Sequence, residues 1–140
     1  MMTTLTPDQV LQRRREVLVQ QDIDGFVALF APDAVLEMPF AGSAVPSRLE
    51  GRQAISEFSA RSVAPGIRID DLQHLAVHHT DDPEVVIVEV LAKATLTSTG
   101  QAFSGTSVQV FRIRDGQIVL FRDYFNPHGL EDLLTPPTAG

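Results

Sequence analysis

The sequence predicts an α+β domain in which three helices come first and a long antiparallel sheet follows. Apolar residues recur at helical spacing before Pro65-Gly66, and from Ile67 onward they recur at every second position. Four alternating stretches, at about 67–79, 84–98, 102–114 and 117–126, are separated only by short turn sequences. Strands joined so tightly can only form an antiparallel meander. The helices must then cover one face of the sheet. If the sheet bends strongly around them, it makes a cone with an apolar pocket at its open end.

Thr6-Pro7-Asp8-Gln9 opens the first helix: Thr6 can cap, Pro7 suits the first helical position, and Gln9 completes a capping box. Val10, Leu11, Val17 and Leu18 then share one face of a helix running to about Gln21. Asp22 can cap a shorter second helix carrying Phe26, Val27, Leu29 and Phe30, closed by Pro32. Ala34 to Met38 reads as a short strand stopped by Pro39, and residues 40–49 read as a loop. Gly51-Arg52-Gln53-Ala54-Ile55 opens the third helix. Among the later turns, Asp115-Gly116 is the strongest hairpin signal. Gly129 to Leu134 reads as a last helical turn, and residues 135–140 as a frayed tail.

At 140 residues the chain reads as one domain, large enough to bury a core without disulfides. Cysteine is absent, which excludes disulfide frameworks, thiolate nucleophiles and Cys-ligated zinc. With 18 acidic and 11 basic residues the net charge is −7, and the one basic cluster, Arg13-Arg14-Arg15, lies within a predicted helix. Phosphate-backbone binding needs clustered cations, so nucleic acid is not an expected partner. No apolar run approaches the ~20 residues of a membrane span, and no signal pattern precedes Thr6. A cytoplasmic, soluble protein without membrane contact is expected.

The chemistry concentrates in the last strand. Side chains alternate faces along it, so Val119, Phe121, Asp123 and Phe125 should point the same way. Three of them make an apolar wall; the fourth is a carboxylate. A desolvated carboxylate must be paired, hydrogen-bonded, protonated or used for chemistry. Burial raises a carboxyl pKa toward the working pH, as a general acid or base requires. Arg14 sits in the middle of the first helix's apolar stripe and is the natural partner, unless its stem packs while its head reaches water. Gln109 shares a strand face with Ser107 and Phe111, either as a hydrogen-bond donor to a ligand carbonyl or as a satisfied polar residue. His74 and His78 are expected on one strand face, too far apart for one metal, and no metal site is expected. His128 follows Asn126-Pro127 as a weak acid/base candidate.

Asp22-Ile23-Asp24-Gly25-Phe26 through Ala34-Val35 resembles the second-helix signature of the nuclear transport factor 2-like superfamily, and Gly51-Arg52-Gln53-Ala54-Ile55 its third-helix start. The last hairpin, Asp115-Gly116-Gln117-Ile118 through Asn126-Pro127, resembles that of its SnoaL-like members. The resemblance spans about Pro7 to Pro127. It implies a cone-shaped curved antiparallel sheet packed on three N-terminal helices, a small hydrophobic organic molecule as ligand and no cofactor. It also implies a homodimer through the outer sheet face, with Glu89 and Lys93 at or beside the contact.

Activity within this superfamily varies, and the resemblance places residues unevenly. Where ketosteroid isomerases carry their general base this chain has Met38. Their helix-1 Tyr falls on Arg14 and their acidic oxyanion partner on Gln109. Asp123 matches the final-strand Asp of limonene-epoxide hydrolases, whose other catalytic groups map to Val90 and Ala92. Phenazine-biosynthesis condensation proteins carry a Glu at the position of Asp123 and a helix-3 His at that of Phe58. The resulting candidate site has Asp123 and Arg14 as catalytic groups, with Gln109, Met38, Phe121, Phe58, Val90 and Phe111 against the substrate. Two readings stand: a cofactor-independent isomerase, cyclase or hydrolase with Asp123 as acid/base, or a non-catalytic ligand-binding or dimerisation module.

Overall fold

In the computed structural model, residues 4–43, 45–62 and 66–126 are described. The expected turn at Gly129–Leu134, the tail and His128 lie outside them. Three helices, α1 (Pro7–Val19), α2 (Ile23–Val27) and α3 (Arg52–Ser62), pack on one face of a six-stranded sheet. The strands are β1 (Phe30–Glu37), β2 (Arg48–Glu50), β3 (Ile67–His79), β4 (Val85–Leu96), β5 (Ala102–Arg114) and β6 (Gln117–Phe125). They lie in the order β2-β1-β6-β5-β4-β3. The α+β class and the four-strand meander are therefore as the periodicity predicts. One pairing corrects the all-antiparallel expectation: β1 joins β6 in parallel, with Leu36 opposite Phe121 and Glu37 opposite Arg122.

The first helix begins as its sequence dictates, with the Thr6 and Gln9 side chains reciprocally capping its first turn. It ends in a Schellman motif, Gln21 N–H donating to Leu18 O and Asp22 N–H to Val17 O. Gln21 takes the left-handed conformation there (φ 60°), and its amide donates at 2.8 Å to Ile69 O, tying the helix end to β3. The second helix is shorter than expected. It stops at Val27, and Phe30 already belongs to β1, four residues before the expected start at Ala34. Pro32 does not close a helix but sits where the β1–β6 register shifts between Phe30 and Val35, an irregularity that tolerates a missing N–H. Residues 48–50, at the end of the expected loop and just beyond it, form the short edge strand β2.

Two of the sheet's bulges decide which way the residues singled out in β3 and β6 face. In β6, Ile113 pairs with Ile118 and Arg112 with Leu120, so Val119 is the extra residue. Ile118 rather than Val119 therefore fills the core beside Phe121. In β3, His74 pairs with Val90 and Ala76 with Glu89, which leaves Leu75 as the extra residue. His74 therefore lies on the inner face with Val90. His78 lies on the outer face, where its Nε2 is 2.7 Å from Glu89. The two histidines expected to share a face are on opposite sides of the sheet.

The core lies between the helices and the inner sheet face, around Val10, Leu11, Phe30, Ile55, Val88 and Phe111. Among the described residues no helix is long and apolar enough to cross a membrane. The β5–β6 hairpin turns through Asp115 (φ 52°) and Gly116 (φ 76°), as the Asp-Gly pair demands. A Cβ at Gly116 would lie 3.0 Å from Thr4 Cγ2 on top of that positive φ. Gly116→Ala should therefore cost about 1–2 kcal/mol, read as a lower urea midpoint at unchanged denaturant slope.

Candidate active site

The register of the three central strands stacks their inner-face residues in rows. Val86, Phe111 and Phe121 form one row; Val88, Gln109 and Asp123 the next; Val90, Ser107 and Phe125 the third. Beyond them Ala92 faces Gly105. Along β5 the inward side chains thus shrink from Phe111 through Gln109 and Ser107 to Gly105. Large side chains close the interior at one end, and small ones leave it open at the other. The space left is a cavity of about 720 Å³, walled by Leu72, Val90, Ala92, Phe103, Ser107, Gln109, Asp123 and Phe125 among others.

Asp123 sits where the packed rows give way to this cavity. Among the described residues its buried Oδ1 has no hydrogen-bond partner. Burial pushes its carboxyl above the usual range; the Gln109 amide, the Arg14 charge and the Ser107 hydroxyl pull the other way and do not offset it. Arg14 comes from α1 and is only 2% exposed, so its head does not reach water. Its guanidinium lies over the Phe111 ring at 4.7 Å and near Phe121 at 5.6 Å, while those two rings stack at 4.5 Å. Burial lowers its pKa to about 10, which leaves it charged at neutral pH. The expected direct ion pair with Asp123 is not formed. Arg14 Nη1 instead donates at 2.6 Å to Gln109 Oε1, and among the described residues Nε and Nη2 have no partner.

Of the six residues expected against the substrate, Gln109 and Val90 line the cavity. Met38, Phe111 and Phe121 are core residues at 5%, 0% and 7% exposure, and Phe58 packs against that core. Their apolar character fits packing as well as it fits a pocket, and only tertiary contacts separate the two. The cavity wall that sequence reasoning missed is the run Ser104-Gly105-Thr106-Ser107 in β5. A detectable signal existed: four consecutive small or polar residues stand before the mix of apolar and polar residues that the strand keeps from Val108 onward.

His74 is half-buried on the inner face, its enclosed Nε2 without a partner among the described residues. Burial and the nearby charges of Arg14 and Arg15 lower its pKa to about 4, so it is neutral at pH 7. Among the described residues no three His, Asp or Glu side chains cluster closely enough to hold a metal.

The model of the SnoaL-like domain matches residues 11–121. This chain belongs to the SnoaL-like family. An uncharacterised PhzA/B-like protein of Pseudomonas aeruginosa is 33% identical to it over 122 residues, covering 85% of this chain and 83% of that one. Among solved structures, a Bacillus subtilis protein provisionally named an isomerase superposes with a TM-score of 0.84 at 26% identity, covering 91% of each chain. The Δ5-3-ketosteroid isomerase of a Mycobacterium species superposes at 0.75 with 21% identity, covering 89% of this chain and 97% of its own. That last likeness is one of fold. The SnoaL-like cone, within the nuclear transport factor 2-like superfamily, is thus the architecture that carries Asp123.

A carboxyl whose folded pKa is raised binds more protons in the folded than in the unfolded state between the two values. Asp123 therefore lowers stability as pH rises from its unfolded pKa through its folded one, and the penalty is complete above that range. Asp123→Asn should be more stable than wild type at pH 7, with the gain shrinking toward pH 3. Chemical denaturation across that range measures it.

Proposed function

We propose that this SnoaL-like protein is a cofactor-independent enzyme of the isomerase, cyclase or hydrolase type. It acts on a small, mostly apolar organic molecule, with Asp123 as the acid/base group. One observation carries this reading: a buried carboxyl with an unpartnered oxygen and a raised pKa forms part of the wall of an open cavity. As a carboxylate, Asp123 accepts a proton from the substrate, and as the acid so formed it returns that proton to another atom. Burial raises the Asp123 pKa, which is the direction that brings the protonated form closer to the working pH. The cavity's mixed lining, with Leu72, Val90 and Phe125 alongside Ser104, Ser107 and Gln109, suits a hydrocarbon frame bearing an oxygen function. The alternative, a module with Asp123 locked to Arg14, is disfavoured by the Arg14 bond going to Gln109.

Screening cyclic ketones, enones and epoxides for turnover, with crystals soaked in the same panel, tests the proposal. Asp123→Asn should keep ligand affinity within a few-fold and lower turnover about 10²–10⁴-fold, the usual worth of a positioned acid/base. An Asp123→Asn protein with wild-type turnover ends the catalytic reading.

The homodimer expected through the outer sheet face belongs to the same proposal. There Leu75, Val108 and Phe40 are 56%, 42% and 57% exposed, and Phe40 meets Tyr124 edge-on at 5.4 Å. These residues line one shallow depression on that face. Such an apolar group on a sheet face is the material of a subunit contact. Val108→Asp should convert a dimer to a monomer in sedimentation velocity without unfolding it.

A further inference from the structure

We infer that Arg14 is a positioning residue, which fixes the Gln109 amide so that it offers only N–H donors to Asp123 and the cavity. This rests on the reading of Asp123 as the working group, and it assigns the polar corner around it a direction.

The argument begins with the guanidinium, which carries donors and no acceptor. Whatever lies 2.6 Å from Arg14 Nη1 must be an oxygen, so the Gln109 amide is oriented with Oε1 toward α1. Its Nε2 is then turned away from Arg14. The cross-strand neighbours of Gln109 are Val88 on one side and Asp123 on the other. Val88 offers no polar atom, which leaves Asp123, whose carboxyl the Gln109 side chain stabilises, as the cross-strand group that Nε2 can address. An amide nitrogen has two hydrogens, and Gln109 is itself part of the cavity wall. One N–H serves Asp123, and the second serves a ligand acceptor beside it.

The anchor is built to hold still. Arg14 is buried with its guanidinium carbon over the Phe111 ring, and its one hydrogen bond among the described residues is the one to Gln109. Among the described residues, the groups that act on the Asp123 carboxyl are Gln109 and Ser107 from β5 and Arg14 from α1. On β3, His74 faces the same arginine as a neutral ring. A free amide would present either end to the cavity. Clamped by Arg14, it presents a donor, and the ligand atom beside Asp123 is an acceptor oxygen such as a carbonyl.

Carbon and nitrogen NMR of the whole protein tests this without any substrate. In wild type, the Gln109 Nε2 hydrogens should shift with the same midpoint as the Asp123 carboxyl carbon. Arg14→Met should raise the Asp123 midpoint and average the two Gln109 hydrogens. In a Gln109→Leu background the same Arg14 substitution should lose most of its effect, the remainder being direct charge. Gln109 hydrogens that ignore the Asp123 titration overturn the inference, even if no variant folds. So does an Arg14→Met shift of equal size in both backgrounds, because Arg14 would then act through its charge alone. Loss of turnover in Asp123→Asn is read separately, so the catalytic proposal and the amide clamp can fail independently.

Discussion

The pairing of β5 with β6 is the constraint on which the rest of this molecule depends. It sets Phe111 against Phe121, Gln109 against Asp123 and Ser107 against Phe125. Each row is one layer of the interior, because directly opposed residues share a sheet face. A slip of one residue would turn every one of these side chains to the other face. The Asp115-Gly116 turn and the Val119 bulge together set the register, so the position of the carboxyl follows from backbone features at the far end of the hairpin.

The polar layer lies between a dry core and an open cavity, and its cost is limited by that placement. Below it, Arg14 replaces water with two phenyl faces and one amide oxygen. Above it, Asp123 keeps an oxygen that no group among the described residues satisfies. A fold optimised only for stability would place apolar side chains in this layer, since buried ion sets are commonly replaced by them without loss. The layer is better understood as conformational specificity held against a stability cost. In it a cation fixes an amide, and the amide addresses a carboxyl.

Two of the sheet's bulges explain why strand periodicity reads correctly in the main and fails locally. Alternation assumes one residue per pleat, and an inserted residue reverses the parity beyond it. At Leu75 this sends His74 inward and His78 outward. At Val119 it brings Ile118 into the core. Neither site carries a glycine or proline to mark it, so nothing in the residue pattern announces the change.

Local chemistry was enough to specify the helix caps, the Asp115-Gly116 hairpin, the span of the four long strands and the anomaly at Asp123. Each depends on residues close together in the chain. Tertiary structure decided the parallel contact of β1 with β6, which joins segments some ninety residues apart and leaves no local signature. It also decided which apolar residues pack and which line the cavity, since Met38, Phe58, Phe111 and Phe121 satisfy either role by composition. Above all it decided the partner of Arg14. Helical spacing placed that guanidinium inside the domain, but whether it met a carboxylate or an amide depended on the crossing of α1 over β5. That is a matter of a few ångströms, set by the packing of Phe111 and Phe121 beneath it.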